Sequence, residues 1–445
     1  MSAAAVAVEP LALKDPLAIR ALSLELTQRW FVWDACTGGE RRVDLHPLVL
    51  SEAAHREAAS AAERAASLVS RMAERAARDA AERALYKLPP GVEALAAAAR
   101  AGGDRGSFAR VDLLLRADGK FVACEVNADC PGGHNETLAL PRLARTAGFR
   151  RGYDPTTAAT ALADRLVELS GGKGSPRGIV GLVYATAYAE DLQVCALLER
   201  LVVERGGRAA RMPATAPHAS SRVPPAAAPH ASSRVPPAAA PHADGDGIAI
   251  RGERVAVLYR FYPLEYMEGQ RNVEALARAT ERGELASMSS FAAIHAQSKL
   301  AMARAFVHEP EEAREVFGET HALSAIDRAA LLRDRATWVV KRDLSRVGDH
   351  VYVGALETDA SFTEVLDDVA EAERELGDVW VAQRYVEPAL LPTPWGPRCL
   401  TLGAYVLDGR FVGYLARLSK VSLCSHDALV LPVFVDDGRP GRLSA

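Results

Sequence analysis

The feature that most limits how this chain can fold is a pair of alternating segments joined by a turn. Residues 110–115 read RVDLLL and residues 120–127 read KFVACEVN, with Asp118-Gly119 between them. Alternation has the period of a strand, and Asp-Gly favours the tight turns of hairpins. The spacing predicts an antiparallel hairpin. Residues two apart on a strand share a face, so Arg110 stands beside Asp112 and Glu125 beside Asn127, with the two pairs opposite one another. Asp, Glu and Asn supply the hard oxygen ligands that Mg2+ takes, and nucleotide phosphates and water complete the octahedron. Arg110 would neutralise a transferring phosphate beside them. The alternative is an exposed polar strand face with cross-strand salt bridges, and these four residues alone do not choose between the two.

Other elements follow from the same reading. Ser51 is an N-cap for one long Ala-, Glu- and Arg-rich helix running to Tyr86 and stopped by Pro89-Pro90-Gly91. GIVGLVYAT (178–186) is a buried strand followed by a helix to Glu204, the order of an α/β layer. Phe291–Phe306 reads as a helix with Lys299 near its middle. Thr337–Lys341 and Val351–Val353 read as paired strands, Trp380–Val386 as another, and Leu400–Val406 with Arg410–Arg417 as a hairpin over Asp408-Gly409. The expected fold class is mixed α/β. Its regions are 1–109 (helical entry), 110–212 (acidic hairpin and α/β layer), 213–246 (insertion) and 247–445 (nucleotide-binding region).

The insertion is different in kind. The unit APHASSRVPPAA occupies 216–227 and recurs identically at 228–239. A segment so rich in Pro and Ala cannot bury a core, and it predicts a disordered surface insertion. Its histidines, His218, His230 and His242, are read as surface residues rather than metal ligands.

Composition excludes several classes. The chain has 445 residues, 49% of them hydrophobic, enough for a large core. A net charge of −4 with scattered basic residues does not build a nucleic-acid stripe. The six cysteines are far apart without a CxxC pair, which points to a reducing cytoplasm rather than a disulfide or zinc framework. The N-terminal MSAAAVAVEP is not read as a signal peptide, and no uncharged apolar run is long enough to span a bilayer. Neither a membrane nor a nucleic acid is expected as a partner, and oligomeric state is not legible.

Three further constellations carry chemistry. The loop ADCPGGH (128–134) leaves the acidic strand, where Asp129, His134 and Glu136 either face a substrate or shape the turn. Lys341 closes an apolar strand before RDLSRVGD (342–349), which suits a phosphate cover with backbone amides near Ser345 and Gly348. That loop is not a Walker A motif, and an ordinary polar hairpin is the competing reading. Trp380–Pro388 ends an extended segment at a proline, where Gln383 or a neighbouring carbonyl would accept from an adenine amine. A core strand with a terminating proline reads the same way. Lys299 taken alone is a solvated helix lysine.

In this order the strings RVD…CEVNADCPGGHNE, LYRFYPLEYM, AQSKLAMA, VVKRDLSRVG, VAQRYVEP and DGRFVGYLARLS, spanning 110–419, resemble circularly permuted ATP-grasp proteins. They are most similar to the synthetase domain of glutathionylspermidine synthase. The acidic strand precedes the lysines, the mark of the permuted group. The resemblance implies an ATP-grasp fold with a pre-ATP-grasp-like layer. It implies Mg2+ ligands at Asp112, Glu125 and Asn127, and a phosphate-meeting arginine at Arg110. ATP contacts fall on Lys299, Lys341, Ser345, Arg346, Gly348, Gln383 and the Tyr385–Val386 backbone, and Arg417 would stabilise an acyl phosphate. Departures are Arg342 where a proline is frequent, Leu418-Ser419 where an acidic residue is frequent, and no counterpart of a fused amidase domain. The implied activity is an ADP-forming carboxylate–amine ligase using ATP and Mg2+ on small-molecule carboxylate and amine substrates. A non-catalytic ATP-binding regulator and a small-molecule kinase are the alternatives.

Overall fold

The two alternating segments form the strands Phe108–Leu115 and Phe121–Asn127, paired antiparallel with Arg110 opposite Asn127 and Asp112 opposite Glu125. In this computed structural model the described residues are 5–11, 15–33, 35–37, 39–172, 174, 177–185, 189–213, 242–244, 247–345 and 348–438. The acidic hairpin joins a second hairpin, Arg398–Leu407 with Arg410–Ser419, so that Gly403 lies opposite Asp112 and Thr401 opposite Arg417. Leu429–Leu431 and Leu390–Leu391 complete this antiparallel sheet. Strands first and last in the functional sequence are therefore neighbours in space.

The helix Glu52–Arg78 packs on that sheet. Ser51 caps it through an oxygen that accepts from the Ala54 amide. Its buried face is largely alanine (Ala58, Ala62, Ala65) with Leu68 and Met72, against Val111, Leu113 and Leu402 of the sheet. Small side chains let the helix lie close. The helix does not continue to Tyr86 as propensity predicts. Asp79 turns extended (φ −117°, ψ 115°), and its side chain caps a separate short helix, Ala80–Ala84. An aspartate that accepts from two amides ahead of it favours a new N-terminus over helix continuation.

A second sheet orders Ala209–Pro213, Ile179–Tyr184, Glu253–Phe261, Gly247–Ile250 and His242–Asp244, with Ala286–Met288 also on the third. The first three and Ala286–Met288 run parallel, covered by helices Ala158–Leu169 and Ala189–Glu204. This is the expected α/β layer. Most of the predicted insertion, including His218 and His230, lies outside the described residues. His242–Asp244, inside its predicted bounds, pairs antiparallel with Gly247–Ile250.

A third, antiparallel sheet orders Thr320–Ala322, Trp380–Arg384, Trp338–Arg342 and Val351–Val353. Helix Asp359–Glu375 backs it with Phe362, Leu366 and Val369 against Trp338, Val340 and Trp380. The predicted helix Phe291–Phe306 is instead broken. A 3-10 turn Phe291–Ala293 and a helical turn Ile294–Gln297 stop at extended Ser298 (φ −61°, ψ 127°), and a new helix Leu300–His308 begins. Lys299 stands at that break, not in mid-helix. No described helix is long and apolar enough to cross a membrane.

Candidate active site

The acidic hairpin, the broken helix and the third sheet meet around Asp112 and Glu125. Arg110 holds Asp112 with two guanidinium nitrogens, Nε to Oδ1 at 2.8 Å and Nη2 to Oδ2 at 3.2 Å. Arg417 Nη2 lies 2.7 Å from Oδ2 on the other side. Asn127 Nδ2 adds a contact to Oδ2 at 3.3 Å. Burial alone would raise the Asp112 carboxyl, but the two arginines outweigh it and hold the group well below the usual carboxylate range. Burial of Arg110 and Arg417 is likewise overridden by Asp112, which keeps both charged.

Glu125 faces Lys299, with Nζ 3.0 Å from Oε1. Burial would raise this carboxyl too, and the Lys299 charge brings it below its ordinary value. Lys299, 2% exposed, also donates to the carbonyls of Asp343 (3.0 Å) and Ser345 (3.1 Å). Lys341 comes from the third sheet, opposite Val381 and Val351. Its Nζ donates to the Cys124 carbonyl at 3.0 Å and to Gln383 Oε1 at 2.8 Å. Burial lowers its affinity for the proton. The structure thus brings together Arg110, Asp112, Glu125, Asn127, Lys299, Lys341, Ser345, Gln383 and Arg417.

Other predicted residues have different surroundings. Gln383 is buried, and its amide is held between Lys341 and Thr320 Oγ1 (2.9 Å). The Tyr385 amide donates to the Thr337 carbonyl at 2.8 Å, and half-buried Val386 packs near Gly318. Gly348 (φ +78°) abuts the Cys424 carbonyl. Arg346 lies outside the described residues. Asp129 and His134 shape the loop. Asp129 pairs with buried Arg260 (2.6 Å) and accepts from the Leu264 amide, while Gln297 accepts from the amides of Ala128 and Asp129. His134 is enclosed by Phe108, Tyr259, Phe261 and Tyr405. Cys124 is no nucleophile, because burial pushes its thiol up to about 12.

Two contributors were missed. Asp343 is buried and accepts from Ser298 Oγ (2.7 and 2.9 Å) and from the Leu300 amide (2.9 Å), locking the segment after Lys341 to the Lys299 break. Nothing in its sequence neighbourhood marks it. Gly403 lies under Arg110, and a Cβ there would stand 2.7 Å from Arg110 Cδ. An isolated glycine inside a predicted strand was the available signal for such a close approach.

The residues fit a polyanion. Four cations, Arg110, Lys299, Lys341 and Arg417, surround two ionised carboxylates. Buried Nε and Nη2 of Arg417 have no hydrogen-bond partner among the described residues, the 2.7 Å ion pair lacking hydrogen-bond alignment. For a divalent cation the protein supplies part of a ligand set, two carboxylates and an amide at Asp112, Glu125 and Asn127. Among the described residues there is no group of three His, Cys, Asp or Glu suited to a metal by itself. A divalent cation there would need phosphate and water oxygens to complete its shell.

The architecture is a mixed α/β fold of the glutathione synthetase-like, ATP-grasp kind. The solved structure of a glutathione synthetase-like effector, GSS30, from Globodera pallida in its apo form shares this fold. It matches with a TM-score of 0.55 at 13% identity, covering 96% of this chain and 99% of that one. A protein described as a gamma-glutamylcysteine synthetase from Methylobacillus flagellatus KT matches with a TM-score of 0.40 at 12% identity, over 75% of this chain and 82% of its own. No protein-family model and no curated protein matches the sequence.

Proposed function

We propose that the protein is an ATP-dependent, ADP-forming carboxylate–amine ligase that makes an amide through an acyl phosphate. One observation carries the reading: four cations, two buried (Lys299, Lys341) and two half-buried (Arg110, Arg417), drawn from four separate parts of the chain, surround the ionised carboxylates of Asp112 and Glu125. That excess of positive charge suits a triphosphate, and a neutral or cationic ligand would leave it uncompensated.

In this reaction a substrate carboxylate oxygen attacks the γ-phosphorus of ATP, and the bond to the β-bridging oxygen breaks to release ADP. An amine then attacks the acyl carbon, loses a proton, and expels inorganic phosphate. Lys299 and Lys341 bind the phosphates, and Arg110 and Arg417 hold the transferring group and the charge that develops on it. Asp112 keeps both guanidiniums oriented. Mg2+ held by Asp112, Glu125 and Asn127 would supply charge neutralisation at the phosphates. Ser345 and Gly348 flank the loop that would exclude water. Within this class the reading is glutathionylspermidine synthase-like: a cytoplasmic enzyme joining a small carboxylate to a peptide or polyamine amine, with no nucleic-acid or membrane partner.

The test is ADP release from Mg-ATP with pools of amino acids, peptides and polyamines. Turnover is expected with at least one carboxylate–amine pair. Lys341→Ala should weaken nucleotide binding about tenfold or more, from the loss of a charged hydrogen bond. Unchanged nucleotide affinity in both Lys341→Ala and Glu125→Ala, with no turnover by the wild type, would sink the proposal. Nucleotide binding without transfer to any acceptor would instead describe a regulator, and a stable phosphorylated product without an amide would describe a kinase.

A further inference from the structure

A second cationic pocket lies at the end of the first helix, Pro16–Gln28, against helices His134–Thr146 and Ala189–Glu204. Its floor is the indole of Trp30, 6% exposed and anchored where the Trp30 carbonyl accepts from Asn135 Nδ2 at 2.8 Å. Three guanidiniums converge on that ring, with Cζ of Arg29, Arg200 and Arg142 at 5.1, 5.4 and 5.6 Å from its centroid. Arg205 completes the wall of a cavity of about 280 Å³.

Each arginine–indole stack is favourable by itself. Gathering four like charges is not, and carboxylates offset only part of it. Glu25 stands 3.3 Å from Arg29, Asp164 2.5 Å from Arg205, and Glu204 3.6 Å from Arg200. Arg142 makes no ion pair among the described residues and spends one N–H on the Leu138 carbonyl. Burial pulls both the Arg142 and Arg200 guanidiniums below their ordinary range, against the attraction of Asp154 on Arg142 and of Glu204 on Arg200, with Arg29 adding repulsion at both. In the hairpin site the opposite holds, because Asp112 is there. Two buried donors at this pocket, Trp30 Nε1 and Arg200 Nε, have no hydrogen-bond partner among the described residues.

Arg200 also borders an adjoining, more apolar hollow of about 630 Å³ lined by Phe31, Trp33, Ala196 and Val203 together with Glu204 and the Glu199–Arg211 ion pair. Phe31 and Trp33 sit with ring centroids 5.9 Å apart, and Arg200 lies 5.1 Å over Phe31. Trp33 is 44% and Val203 56% exposed, so an apolar body seated there would cover surface now facing water.

We propose that these joined hollows form a binding site for a small organic oxyanion. Its carboxylate or phosphate head sits among Arg29, Arg142, Arg200 and Arg205, and its aromatic or aliphatic body lies against Phe31 and Trp33. Guanidinium forks match both heads in the same bidentate geometry. The site shares no residue with the cage around Asp112 and stands or falls independently of the ligase reading.

The experiment titrates the full-length protein, without nucleotide, with phenyl phosphate, benzoate and inorganic phosphate, following tryptophan fluorescence and calorimetric heat. At least one of the two organic anions is expected to bind saturably and more tightly than inorganic phosphate, and their ranking assigns the head group. Arg200→Ala should raise the dissociation constant about tenfold or more, the equivalent of one charged hydrogen bond. Arg29→Ala, on an exposed side chain whose loss spares the fold, should weaken binding in the same direction. Lys341→Ala should leave it unchanged. Absence of saturable binding by both organic anions overturns the proposal. So does binding indifferent to both arginine changes, an affinity for inorganic phosphate equal to that of the organic anions, or loss of binding in Lys341→Ala.

Discussion

At the scale of single residues, the site depends on side chains that are absent as much as on those present. Gly403 has no Cβ, and this lets Arg110 lie flat enough to grip both oxygens of Asp112. Gly403→Ala should displace Arg110, cost about 1–3 kcal/mol of stability, and lower ADP release about tenfold or more, for the loss of about 1.4 kcal/mol at the transition state. Urea unfolding and an ADP-release assay on the same preparation check both parts. Wild-type activity in the variant would show that the grip of Arg110 does not matter. His134 gives a pH signature. Burial, and then the nearby Arg110 charge, push its imidazole down to about 3. The folded value lies below the unfolded one of 6.5, so its contribution to stability is complete above pH 6.5 and is lost as pH falls toward 3. Unfolding free energy should therefore fall between pH 6 and 4, and in His134→Gln the slope should flatten by up to about 1.4 kcal/mol per pH unit. Equal slopes in the two proteins would show that the native imidazole is not held neutral.

At the scale of elements, strands were legible and interruptions were not. Alternation and Asp-Gly turns located both hairpins and, through them, the facing pairs Arg110–Asn127 and Asp112–Glu125. Propensity ran straight through the breaks at Asp79 and Ser298, because Ala-rich flanks mask a single residue whose extended conformation is fixed by partners far away. The Ser298 break matters more, since it turns Lys299 from a solvated helix lysine into a buried ligand of Glu125. Its far partner is Asp343, whose carboxylate binds both Ser298 Oγ and the first amide of helix Leu300–His308. Sequence cannot display a contact between residues so far apart when only one of them looks unusual. Asp343→Ala leaves the buried Ser298 hydroxyl without its acceptor and the Leu300 amide with only Ser298 Oγ at 3.2 Å, an expected cost of about 1–3 kcal/mol. KM for ATP should rise more than kcat falls, and Asp343→Asn, which keeps one acceptor oxygen, should recover most of the loss. Equal impairment by Asn and Ala would mean that the negative charge, rather than the positioning, is what counts.

At the scale of the whole molecule, one site draws on residues from 110 to 417, so a bound nucleotide would add to the contacts, such as Lys341 Nζ to the Cys124 carbonyl, that already join the first and third sheets. The same breadth explains why the motifs were individually weak and jointly readable: each element supplies one or two groups, and only their order along the chain ties them together. The edges of the parallel sheet add a different consequence. Ala209–Pro213 and His242–Asp244 lie at opposite margins, four strand spacings apart, about 19 Å at about 4.8 Å each; because the two strands run in the same direction, Pro213 and His242 are also offset along the strands by about 23 Å, a separation of about 30 Å in all. An extended chain spans that with roughly nine residues, and a single copy of APHASSRVPPAA already exceeds it. Excising residues 228–239 should therefore leave the melting temperature within about 1 °C of wild type, whereas a drop of several degrees would show that the duplicated unit takes part in packing. On that geometry the copy number of the unit is free to drift by replication slippage. Selection on folding would begin to resist only when the tether became too short to cross the sheet.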